Sequence, residues 1–149
     1  MATISGDLSS GAPLPTLAWA STSNMACWPA TQNAYYDGHH VLYTTTLPSR
    51  AIMYVELQPA ADVDLSLYAY STGASGAPRL PPDITTAVSC EASYRYGETN
   101  YNVDQNPGKL EKVNLNAIAN PYNVVIGVAG PRKATRGSFT LKVILEGGS

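Results

Sequence analysis

The chain has 149 residues, enough for one domain with a sizeable core. Charged residues make up only 13%, well below the usual share, and Gly, Pro, Ser, Thr, Asn and Tyr take their place. A net charge of −2 excludes the basic field that holds a phosphate backbone, and no run approaches a membrane-spanning length, so neither nucleic acid nor a membrane span is expected.

In chain order, Thr3 to Gly11 reads as a short strand and turn at an edge. The first 33 residues are otherwise irregular, broken by Pro13, Pro15 and Pro29. Met1-Ala2-Thr3-Ile4-Ser5-Gly6 has neither a basic nor an apolar leader region, so either an export signal is expected to have been removed or the protein is not exported by that route. Trp19 and Trp28 fall in this stretch. They are read either as a plug at the end of a sandwich or as exposed rings that contact a flat ligand.

Asp37-Gly38 marks a turn, and His39 to Leu47 is rich in β-branched and aromatic residues. Pro48-Ser49-Arg50 turns the chain into Ala51 to Leu57, with Met53, Val55 and Leu57 on one face. Asp62 to Tyr70 alternates strictly. Val63, Leu65, Leu67 and Ala69 are expected to face a core, and Asp62, Asp64, Ser66, Tyr68 and Tyr70 to face outward. Ser71 to Pro82 is expected to be a mobile surface loop. Thr85 to Tyr94 is read as a strand, and Arg95 to Lys109 as polar turns. Further strands are expected from Leu110 to Ile118, from Tyr122 to Val128 and from Gly137 to Leu145, with a turn at Gly130-Pro131-Arg132-Lys133 between the last two. Seven to nine short strands without a 3.6-residue period predict an all-β chain: a single antiparallel β-sandwich or jelly roll over residues 1–149.

Chemistry-bearing residues are few. His39 and His40 are neighbours in a strand and point to opposite faces, so they do not share a metal easily. Nucleophile elbows, phosphate loops and Cys-x-x-Cys pairs are missing. The chain is therefore expected not to be an enzyme. Asp62 and Asp64 stand about 7 Å apart on one strand face. Two carboxylates that close invite a cation, and calcium, an oxygen-seeking ion, is the candidate, with Asp104 as a further ligand. Tyr68 and Tyr70 share that outward face. With Trp19 and Trp28 they form the expected binding surface. Cys27 and Cys90 are expected to bridge in an exported protein and to stay buried thiols in a cytosolic one; the strand-rich, lysine-poor composition favours the bridge.

Four stretches resemble the bacterial pre-peptidase C-terminal domain family. Asp37 to Pro48 is similar to its early aromatic-and-threonine strand, and Asp62-Val63-Asp64-Leu65-Ser66-Leu67-Tyr68 to its Asp-x-Asp-Leu-x-Leu-Tyr strand. Asn120 to Val128 is similar to the Tyr-x-Val-x-Val strand, and Gly137 to Val143 to the closing Gly-x-aromatic-Thr-Leu-x-Val strand. The likeness covers about Ala34 to Leu145, and relatives often place cysteines as Cys27 and Cys90 are placed here. It implies a non-catalytic β-sandwich module, secreted or at the cell surface, that assists export or binds an insoluble polymer such as collagen, chitin or starch, in some members with calcium. The alternative is a structural subunit that assembles with copies of itself into a fibre or surface layer.

Overall fold

The computed structural model describes residues 2–93 and 110–147. The strands are β1 (Ala2–Asp7), β2 (Ala12–Pro13), β3 (His39–Leu47), β4 (Ala51–Pro59), β5 (Ser66–Gly73), β6 (Ser89–Ser93), β7 (Glu111–Asn116), β8 (Tyr122–Ala129) and β9 (Ser138–Gly147). Two antiparallel sheets face each other, ordered β1-β9-β4-β7 and β2-β3-β8-β5-β6. The chain is an all-β sandwich, and its helical segments are short 3-10 turns at Leu8–Ser10, Ala18–Ser21 and Ala30–Tyr35. Among the described residues no helix is long and apolar enough to cross a membrane.

Alternation sets the register. Val55 lies opposite Val113 on one side and Val143 on the other, and Leu57 lies opposite Leu141. In the second sheet, Val128 is flanked by Val41 and Leu67, and Ile126 by Tyr43 and Ala69. These side chains fill the space between the sheets, where Met53, Val55, Leu57, Leu67, Val128 and Leu141 are fully buried. A slip of one residue in any pair would turn its whole apolar set to the other face. At about 1.5–3 kcal/mol per fully buried large apolar side chain, this core sets the pairing.

The five-stranded sheet is buried on its other face too. Leu14 to Tyr36 folds across it and forms a second core of Trp19, Met25, Cys27, Trp28 and Tyr36 against Tyr68, Tyr70, Val125 and Ala129, with Ile84 alongside. A disulfide joins Cys27 to Cys90 on β6, with Cα atoms 5.0 Å apart and a sequence separation of 63. Closing a loop of that length stabilises the fold by about 4 kcal/mol on the chain-entropy account. It fastens the covering layer to the sheet beneath.

The sequence pattern misplaces the start of the central strand. Pairing begins at Ser66, not Asp62. The amide of Ala60 donates to Ser138 O at 3.0 Å and that of Val63 to Ala60 O at 2.9 Å, which closes a turn over Ala60–Val63. Asp62 and Asp64 therefore sit in the link from β4 to β5, not side by side on a strand face. The segment after β5 is tied down: Asn123 Nδ2 donates to Gly73 O and Gly76 O, each at 3.2 Å, and the Tyr70 hydroxyl donates to Arg79 O. Arg95 to Lys109 lies outside the described residues.

Gly127 on β8 lies opposite Tyr68, and the Tyr68 ring lies where a Gly127 side chain would be. A Cβ there would overlap three ring carbons. Gly127→Ala is expected to cost about 2–3 kcal/mol, the overpacking range. Urea unfolding should show it as a lower midpoint with an unchanged slope.

Candidate functional site

Two places hold the residues singled out from the sequence. The first is the aromatic layer over the five-stranded sheet. Trp28 stacks on Tyr36 with ring centroids 3.6 Å apart and planes 7° from parallel. Trp19 meets Trp28 edge-on at 5.4 Å, and both rings lean on Tyr68, at 5.6 and 5.3 Å. Trp28 Nε1 donates to Asn33 Oδ1 at 2.8 Å, whereas the buried Trp19 Nε1 has no hydrogen-bond partner among the described residues.

His40 closes this layer from β3. Its Nε2 lies 2.6 Å from Tyr36 O, a carbonyl that only accepts, so Nε2 carries the proton. Nδ1 is then left to accept from the Tyr68 hydroxyl at 2.9 Å. The Tyr36 hydroxyl donates in turn to Leu67 O at 3.4 Å. Burial lowers the His40 pKa from 6.5 to about 4 and raises that of Tyr68 well above its usual value. A neutral imidazole satisfies both contacts; a protonated one would present a second N–H to a hydroxyl that must then reverse.

These positions correct the expected binding surface. Tyr68 and Tyr70 do lie on the outer face of their sheet, but both are fully buried, and Trp19 and Trp28 are 5% and 3% exposed. Period-2 alternation tells which side of a sheet a residue takes, not whether another layer covers that side. The four rings are packing. They form neither an exposed platform nor an end plug.

The second place is an open cleft of about 620 Å³ at one end of the sandwich. It is lined by Asp7, Asp62, Asp64, Arg132 and Arg136, with Gly137 in its wall. Asp7 ends β1, and its carboxylate accepts from the amides of Ser9 at 2.9 Å and Gly137 at 3.3 Å. Those hydrogen bonds, with the nearby Arg136 charge, hold the Asp7 pKa below its usual value. The Pro131–Gly137 loop is shaped by two consecutive left-handed residues, Arg132 at φ 52° and Lys133 at φ 62°. Such backbone costs about 1–2 kcal/mol per residue and needs external support. Ala34 O supplies it to the Arg132 amide and Asp37 Oδ1 to the Lys133 amide, each at 2.7 Å. Gly137 is required because an added Cβ would meet Val63 Cγ1 at 2.7 Å, and its φ is +153°.

Asp62 and Asp64, expected on a strand face, instead line this cleft together with two guanidinium groups. Calcium wants about six to eight oxygen ligands. Two of the carboxylates here are on one short link, the third is engaged by amides, and the arginines repel a cation. Among the described residues no group of three His, Cys, Asp or Glu side chains stands together as a metal site. Asp104 lies outside the described residues. Asp7, Arg132 and Arg136 escape a sequence reading because they are distant in the chain. The only local signal is the basic turn around Pro131, which reads as an ordinary surface turn.

No family model matches the chain, and no curated protein sequence matches it.

The burial of His40 makes stability depend on pH, because it disfavours the charged imidazolium more than the contact to Tyr36 O favours it. A group whose folded pKa is depressed stabilises above its unfolded pKa, and that contribution is lost as pH falls. Stability is expected to be level above pH 6.5 and to drop by about 3 kcal/mol between there and about pH 4. Denaturant titrations at several pH values should show the slope, and His40→Gln should remove most of it while lowering stability at neutral pH.

Proposed function

We propose that the chain is a non-catalytic β-sandwich module, of the pre-peptidase C-terminal kind, that works in secreted form or at a cell surface and binds a polymer or protein surface through the cleft at Asp7, Asp62, Asp64, Arg132 and Arg136. The cleft is the observation that carries this reading. Its carboxylates accept hydrogen bonds and its guanidinium groups donate them, within one open concavity. That mixture suits a neutral polar chain, whose hydroxyl or amide groups do both, better than a strongly charged one. The strained backbone at Arg132 and Lys133 supports the reading, because such strain persists where a particular side-chain presentation is required. The Cys27–Cys90 disulfide supports an oxidising compartment outside the cytosol.

Sedimentation with insoluble chitin, starch and collagen tests the proposal. At least one polymer is expected to retain the protein. The double variant Asp62→Asn with Arg136→Gln should weaken retention about tenfold, as loss of one or two charge-assisted hydrogen bonds would. Its melting temperature should stay unchanged, because both side chains are exposed. A chelator should leave binding intact, since the arginines do what a cation would otherwise do; loss of binding on chelation would instead assign calcium to the contact. Equal binding by the double variant would overturn the cleft as the site.

A further inference from the structure

Each sheet has two edges, and a bare edge is a template for another strand. Three of the four are blunted. β2 is two residues long, carries Pro13 and is followed by Pro15. β6 carries Glu91 and is held by the Cys27–Cys90 bridge. β7 carries Lys112 among Asn114 and Asn116. β1 has none of these devices. Ala2-Thr3-Ile4-Ser5-Gly6 is uncharged and free of proline, and Ala2 to Ser5 are exposed. Its one acidic residue, Asp7, turns its carboxylate back to Ser9 and Gly137. Among the described residues β1 pairs only with β9, and none of them pairs with its other side.

The strand is also complementary to itself. Thr3 and Ser5 lie opposite Lys142 and Thr140 on β9, on the face turned away from the core. Ile4 lies opposite Leu141 on the core side, yet it remains 36% exposed, with no described strand flanking it at the edge. A two-fold axis through Ile4 places Ile4 against its own copy, Thr3 against Ser5 and Ala2 against Gly6. The hydroxyl pairs then fall on the outer face, the isoleucines cover each other on the inner face, and no like charges meet.

We propose that a second copy of this chain docks on β1, antiparallel and centred on Ile4, so that two four-stranded sheets become one sheet of eight. The contact is isologous and closes on itself, so it yields a dimer rather than a fibre. Of the cleft residues only Asp7 lies on β1, at its far end from the centre of the contact, so the contact does not need the cleft and stands apart from the polymer-binding reading.

The test is the mass of the whole chain in solution, by sedimentation over a range of concentrations. Wild type is expected to reach twice the mass of one chain. Thr3→Glu with Ser5→Glu sets like charges opposite each other twice across the axis, and should raise the dissociation constant about tenfold or more. The fold should tolerate it, since position 3 lies beside Lys142. Thr3→Glu with Ser5→Lys sets opposite charges across the same axis and should restore the dimer. A wild type that stays monomeric, or a dimer indifferent to the first pair of changes, would overturn the proposal. Failure of the second pair to restore association would overturn the register, and the proposal with it.

Discussion

The structure depends on how one tyrosine is accommodated. Tyr68 lies flat over Gly127 on the outer face of the five-stranded sheet, and its hydroxyl is held by His40. A buried hydroxyl without a partner is costly, and so is a ring pushed off its sheet by a neighbouring side chain. Both problems are solved together. The glycine makes room for the ring, His40 receives the hydroxyl proton, and Tyr36 O receives the proton on the other ring nitrogen. With Tyr68 and Tyr70 lying apolar side outward, the sheet needs a cover, and Leu14 to Tyr36 provides it with Trp19 and Trp28. The fold is thus three layers deep, although only two of the layers are sheets.

The architecture is legible in the sequence because alternation over Leu65, Leu67 and Ala69, and again over Val124, Ile126 and Val128, leaves no other way to bury one face. The strands from His39, Ala51, Tyr122 and Ser138 fall close to where composition and turn residues put them. The covering layer is not legible. Its segment has no period and two prolines, and its packing partners are set only by the aromatic side chains of distant strands. The same gap hides the meaning of Tyr68 and Tyr70. An outward face rich in tyrosine looks the same in sequence whether it meets solvent or tryptophan. Asp62 and Asp64 fail for a more local reason: alternation runs on through the four residues Asp62 to Leu65 ahead of the strand, and only the hydrogen bond between Val63 and Ala60 shows that the strand has not begun.

The two places also divide the labour of the molecule. The aromatic layer is closed, cross-linked and built to resist change, so its unusual residues explain stability. The cleft is assembled from the end of β1, the link before β5 and the loop before β9, each fixed by backbone contacts to its neighbours. Polar side chains there can vary without disturbing either core. On the proposed reading the cleft would carry its binding residues beside loops that a rigid scaffold positions, a common solution for that reason.

β1 and β9 have a mechanical consequence. They run antiparallel, and Ala2 pairs with Val143, so the outer ends of both strands lie at the same end of the sandwich. Tension applied through those two ends would load their hydrogen bonds one after another, as in opening a zipper, rather than all at once in shear. The first strand would therefore peel at low force. The bridge between Cys27 and Cys90 then limits any further extension: its 63-residue separation withholds about 200 Å of contour length while the bond is intact. Under load the protein would behave as a short compliant lead attached to a domain that cannot fully unravel.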